Sequence, residues 1–213
     1  MEEMYAKISE AVISGDMEEV RKLAQQALDE GAQAREIMDQ GLVPGMDVVG
    51  QRMKAGDMFI PEVLRSAKTM HAAMDILQPF LSEGDARGLG TVIIGTVEGD
   101  LHDIGKNMVA IMLEGAGFKV VDLGTNVTAQ AFMEAAKAHK PRILAMSSLL
   151  TTTMPKMGEM MEALKEAGIR DEVKVMAGGA PVTQDFVDKI GADAYGADAA
   201  AAVDKAKALM TGN

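Results

Sequence analysis

The sequence predicts an α/β protein in two parts, an N-terminal four-helix bundle followed by a flavodoxin-like, five-stranded parallel sheet covered by helices. Three observations carry this. Up to about residue 84, apolar residues recur three and four apart; beyond residue 90, short apolar runs alternate with helical stretches; and the small, polar "LSEGDARGLG" separates the two regimes. The chain is therefore divided into a helical domain over 1–84, a linker over 85–90 and a sheet domain over 91–213.

In the first part, "MEEVRKLAQQALDEG" places Val20, Leu23, Ala24, Ala27 and Leu28 on one helical face. Breaks at Ser14-Gly15-Asp16, Gly31, Pro44-Gly45, Gly56-Asp57 and Pro61 divide this half into about four helices. Asp16 reads as a helix cap and Pro61 as a first-turn residue. Four short helices with one apolar face each form a bundle.

In the second part, strands are expected at Thr91–Val97, Lys119–Leu123, Arg142–Ser147, Val173–Ala177 and Asp193–Gly196. Helices are expected near Ile104–Glu114, Ala129–His139, Met154–Ala167, Thr183–Lys189 and Ala199–Met210. Strand–helix alternation implies a parallel sheet, here in the order 2-1-3-4-5. Sheets of that order bind ligands where the first and third strands end. The loops there are "EGDLHDIG" after the first strand and "SSLLTTTM" after the third, the latter with hydroxyls at Ser147, Ser148, Thr151, Thr152 and Thr153. The next strand ends in "AGGAP".

Composition removes several functions. The chain has no cysteine, hence no disulfide, no thiolate nucleophile and no cysteine metal site. A net charge of −11 with 3% aromatic residues offers neither a cationic field for phosphates nor a stacking platform, so no nucleic-acid partner is expected. No apolar run of membrane-spanning length occurs, and "MEEMYAKISE" lacks the order of an export signal, which predicts a cytoplasmic protein with no membrane partner. The 19 methionines are read mainly as core filling; Met53, Met70 and Met74 of the helical half are read the same way, with lining of a ligand-covering face as their alternative.

For the crevice, a phosphate-binding P-loop fails because Asp100 and Asn107 stand where glycine and serine or threonine are needed. A phosphoacceptor domain would end its third strand in aspartate and follow the fifth with lysine; here the strands end in Ser147 and in Tyr195-Gly196. A metal site made by the protein alone lacks ligands, since His71 and His139 belong to no cluster. A hydrolytic triad of Asp100, His102 and a hydroxyl lacks the glycine-flanked nucleophile turn. Two readings stay open: a solvated loop histidine, or an imidazole held by a carboxylate on one nitrogen and presenting the other to a metal that brings its remaining ligands in a macrocycle.

"DLHDIG" (Asp100 to Gly105) resembles the D-x-H-x-x-G signature of cobalamin-binding domains, and "SSLLTTT" and "GGA" resemble the second and third motifs of that family at fitting separations. "GLVPGMDVVGQRMKAGDMFIPEVLRSAKTMHAAM" (Gly41 to Met74) is similar to the four-helix cap of methionine synthase and of the methyltransferase corrinoid proteins. The resemblance covers nearly the whole chain. It implies that cobalamin or a related corrinoid binds base-off, with His102 as the lower axial cobalt ligand, Asp100 receiving the other imidazole proton and Thr153 completing the relay where methionine synthase has serine. It further implies corrinoid contacts from Asp103, Ile104, Gly105, Ser147, Leu149, Thr151, Gly178, Gly179, Ala180 and Tyr195. Gly105 is read chiefly as packing the loop on its helix, and Gly95, Thr96 and Gly124 as small residues near strand ends that admit the nucleotide tail, Gly124 equally as a plain turn residue.

The function implied is that of a methyl carrier in anaerobic one-carbon metabolism, not catalytic by itself. A substrate:corrinoid methyltransferase would load it, a corrinoid:folate or corrinoid:thiol methyltransferase would unload it, and a reductive activator would restore the cobalt. The helical cap would cover the methyl face and move on the linker during transfer. The alternatives are a cobalamin-dependent sensor, for which the chain shows no output module, and the small subunit of an adenosylcobalamin mutase, which usually lacks such a cap.

Overall fold

The computed structural model describes residues 1–81 and 89–211. The expected linker falls largely on residues 82–88, outside the described residues, as does the expected boundary at 84. The chain divides into two units, Met1–Gly88 with Glu114–Gly117, and Leu89–Leu113 with Phe118–Asn213. Among the described residues no helix is long and apolar enough to cross a membrane.

The helical unit contains α1 (Glu2–Ser14), α2 (Met17–Asp29), α3 (Ala34–Ile37), α4 (Val43–Ala55) and α5 (Ile60–Leu77). Between α1 and α2, Gly15 turns in the left-handed region (φ 74°) and the Asp16 carboxylate accepts the Glu19 amide at 3.0 Å, the expected cap. The expected break at Pro44-Gly45 is absent. One π turn, Met38–Leu42, joins α3 to α4, and Pro44 falls in the first turn of α4, where a missing N–H costs little. Gly41 and Gly45 instead allow close helix crossing: a Cβ would stand 2.9 Å from Ile8 Cγ2 at Gly41 and 2.9 Å from the Ser9 carbonyl oxygen at Gly45. α5 opens with Glu62 accepting the Phe59 amide at 2.8 Å and with Pro61 in its first turn; it buries Val63, Ala67, Met70, Ala73 and Leu77, a helical stripe.

The second unit contains β1 (Thr91–Thr96), α6 (Ile104–Gly115), β2 (Lys119–Asp122), α7 (Ala129–His139), β3 (Ile143–Ser147), α8 (Pro155–Glu166), β4 (Lys174–Gly178), α9 (Gln184–Ile190), β5 (Ala194–Gly196) and α10 (Ala199–Thr211). Each expected strand and helix of this half is present, with ends shifted by at most one residue. All strand pairs are parallel and the order is β2-β1-β3-β4-β5, as the alternation predicted. Burial on both faces explains the unbroken apolar runs. On one face Ile93, Leu144, Met146 and Val175 meet Phe132 and Met133 of α7 and Met157, Met160, Met161 and Leu164 of α8. Methionine fills this core, as the composition suggested.

Register decides where the loops leave. Thr96, Ser147, Gly178 and Gly196 lie side by side at the carboxyl edge, so the loops after β1, β3 and β4 start at one level. Among the described residues, the Thr69 hydroxyl of α5 is fully buried without a hydrogen-bond partner. Thr69→Val removes an unpaired polar group at constant shape, so we expect stability to rise by about 0.5–1 kcal/mol in chemical denaturation.

Candidate functional site

Beyond Thr96 the chain stays tied to the neighbouring strand, the Val97 amide donating to the Ser147 carbonyl at 3.0 Å. Gly99 then turns at φ 82°, and Asp100 points inward with no exposed surface. Its Oδ1 accepts the His102 amide at 3.0 Å and lies 2.7 Å from the His102 ring Nδ1. Its Oδ2 accepts the Leu149 amide at 2.6 Å, the Leu150 amide at 3.3 Å and the Thr153 hydroxyl at 3.1 Å. A buried carboxylate thus gathers donors from both loops at the carboxyl edge.

The protonation of Asp100 follows from a contest. Burial pushes its carboxyl up, but the Leu149 and His102 amides, the His102 ring and the Thr153 hydroxyl outweigh burial and lower it from 3.8 to about 2. An ionised Asp100 can only accept, so Nδ1 of His102 carries a proton, and in the neutral ring Nε2 keeps its lone pair. The His102 side chain is 52% exposed. The pair therefore has a fixed inner nitrogen and an available outer one.

The hydroxyl relay extends one residue further than the sequence reading. Ser148, fully buried, stands 2.8 Å from Thr153 Oγ1, giving the chain Ser148–Thr153–Asp100–His102. Ser148 belonged to the noted hydroxyl run, but nothing in the spacing distinguished it from Ser147, which is half-buried at the end of β3. The loop is anchored by the Ser148 amide donating to the Gly178 carbonyl at 3.1 Å.

The glycines separate into kinds. At Gly179, φ is 125° and a Cβ would stand 1.9 Å from the Ser148 carbonyl oxygen; at Gly178 it would stand 2.7 Å from the Gly196 carbonyl oxygen. Backbone packing alone requires glycine at both. The Cβ position of Gly95, expected to leave room near a strand end, is filled by Phe132 Cζ at 2.8 Å. Gly124 turns at φ 81° with open space around it. Gly105 corrects the packing role expected for it: nothing lies within 4 Å of its Cβ position.

Around the histidine, apolar side chains face solvent: Leu101, Ile104, Leu149 and Leu150 are all exposed, Ile104 at 79%. Leu101 and Leu150 were not singled out in the sequence, although apolar residues in an exposed loop were the available signal. Asp103 is exposed, and its carbonyl accepts the Asn107 amide at 2.7 Å as α6 begins. Thr151 and Ala180 are exposed in the loops after β3 and β4, and Tyr195 of β5 is half-buried against the methionine-rich core. The structure joins Asp100, His102, Leu149 and Thr153 by hydrogen bonds; Ser147 and Gly178 pair at the same edge, whereas Tyr195 pairs with Ala177, one residue before it.

Among the described residues no three histidine, cysteine, aspartate or glutamate side chains are grouped to hold a metal ion. A metal taken up through His102 Nε2 would need a carrier that supplies its other ligands. An available ring nitrogen, open space above Gly105 and exposed apolar side chains fit a metal-bearing macrocycle.

Residues 90–204 match the B12 binding domain family, and residues 4–78 match a second family of the same description. The chain is 47% identical over 211 residues to trimethylamine corrinoid protein 1 of Methanosarcina acetivorans, covering 98% of each chain. It is similar to the methanol:cobalamin methyltransferase complex of Methanosarcina barkeri (TM-score 0.88, 34% identity, 99% of this chain and 81% of the other). It is also similar to a cobalamin-binding protein of Desulfitobacterium hafniense (TM-score 0.78, 33% identity, 94% and 95%).

Because the folded carboxyl of Asp100 titrates below its ordinary value, its contribution to stability is complete above about pH 4 and is lost as pH falls through about 2. Asp100→Asn places an amide donor against donors, so stability at pH 7 should fall by about 2–3 kcal/mol. Its acid limb between pH 4 and 2 should flatten relative to the parent, as read by urea denaturation across that range.

Proposed function

The chain belongs to the family of B12-binding corrinoid proteins, and on that premise we propose that it is a methyl carrier whose His102 serves as the lower axial ligand of a base-off corrinoid. The observation that carries this is the pair itself: Nδ1 of His102 held at 2.7 Å by a buried carboxylate, with the ring half-exposed. The corrinoid, when bound, supplies the cobalt on which a methyl group is carried.

The chain's own residues orient and tune. Asp100 fixes the ring and its tautomer, as a carboxylate behind a ligating imidazole does. Thr153, Leu149 and Leu150 donate to the remaining oxygen and so help to keep the carboxylate ionised behind the ring. Leu101, Ile104, Leu149 and Leu150 offer apolar surface to the macrocycle, and Gly105 leaves its own approach open. A side chain at Gly105 would stand in that space.

The partners follow from the chemistry of carriage. A substrate:corrinoid methyltransferase loads the carrier, and the names of its relatives favour a methylamine or methanol as the class of donor. A second methyltransferase passes the group to a thiol or to folate, and a reductive activator returns oxidised cobalt to use.

His102→Ala should still take up cobalamin but lose the imidazole-ligated absorbance spectrum, with methyl transfer by the partner enzymes falling at least about tenfold. A spectrum identical to that of the parent would refute the ligand assignment.

A further inference from the structure

Asp100 holds His102 from one side of its loop. Other groups hold the opposite side. Thr96, the last residue of β1, has no exposed surface, and its Oγ1 donates to the carbonyl oxygen of His102 at 2.8 Å. Both main-chain groups of His102 are thereby satisfied: the amide on Asp100 Oδ1 and the carbonyl on Thr96. Thr96 is itself fixed, its amide donating to the Gly124 carbonyl and its carbonyl accepting the Val127 amide, both at 2.9 Å.

Between those two points lies Asn126, in the left-handed region at φ 55°. Its amide donates to the Asp100 carbonyl at 3.0 Å, and its side-chain oxygen accepts the Gly99 amide at 2.8 Å. A non-glycine residue in that region persists where its surroundings over-determine it. The start of the same segment is anchored as well. Asp122 accepts the Gly124 amide at 2.8 Å and pairs with the Lys106 ammonium, which is 1% exposed in the first turn of α6.

We propose that Thr96 is a positioning residue for His102, setting where the outer ring nitrogen stands before any cofactor arrives by holding the main chain of the residue whose ring Asp100 orients. The inference rests on the axial-ligand reading of His102 and adds to it a second, independent hold. With the amide and carbonyl of His102 both bonded, its backbone is fixed, and the ring is fixed by Nδ1. Without the Thr96 hydroxyl, the loop must be ordered at the moment of ligation, which weakens the bond formed.

The test uses the full chain loaded anaerobically with cobalamin. Parent, Thr96→Val, Thr96→Ser and His102→Ala are compared at one fixed pH. Bound cobalt gives occupancy, absorbance gives the imidazole-ligated fraction, and circular dichroism reports folding. Thr96→Val should bind cobalamin but show a ligation constant lower by about threefold to tenfold, the worth of one hydrogen bond, and Thr96→Ser should restore it. A parental ligated fraction in Thr96→Val overturns the inference. Should Thr96→Val fail to fold, Thr96→Ala decides by the same measure, since it also removes the hydroxyl that bonds the His102 carbonyl and adds no atoms. If His102→Ala loses the ligated spectrum while these variants match the parent, only the positioning role falls; if His102→Ala keeps it, the axial-ligand reading falls too.

Discussion

The carboxylate of Asp100 is fully buried, and burial by itself would favour its neutral form. It remains ionised because two loops aim donors at it: the His102 amide and ring on one oxygen, the Leu149 and Leu150 amides and the Thr153 hydroxyl on the other. The dependence is mutual. The loops need the charge to satisfy their amides, and the charge needs the loops to stay in a dry place. The orientation of the histidine is the by-product of that arrangement.

The sheet makes the meeting possible. Parallel register aligns the ends of β1, β3, β4 and β5, so that segments far apart in sequence start from one level. Close backbone approach then locks the second loop: Gly179 stands where any side chain would strike the Ser148 carbonyl, and Ser148 in turn braces Thr153. The loop after β2 reaches the same place from the other flank through Gly124, Asn126 and Val127.

Much of this was legible in the sequence. Strand–helix alternation located every element of the sheet unit, because short apolar runs and the 3.6-residue period are local properties, and the expected order was that of sheets built from such alternation. The pairing of Asp100 with His102 was what the resemblance of "DLHDIG" to the cobalamin-binding signature implied, whereas the residues alone left a solvated loop histidine open. Ser148, Thr96 and Asn126 were not assigned their bonds, since each works through a contact that only the folded loops create. Pro44 misled for a similar reason: a π turn just before it rescued a helix that local rules would end. Gly105 and Gly95 show that glycine in a sequence does not say whether the space beside it is filled or free.

Leu149 and Leu150 reach Asp100 through main-chain N–H groups, while their side chains face outward. The electrostatic support of the histidine is therefore written in peptide bonds, which every amino acid except proline supplies. Residue identity at these two places is decoupled from the charge they stabilise. Both side chains can therefore be varied without disturbing that charge, and a protein engineer can reshape the rim by randomising the two positions while excluding proline.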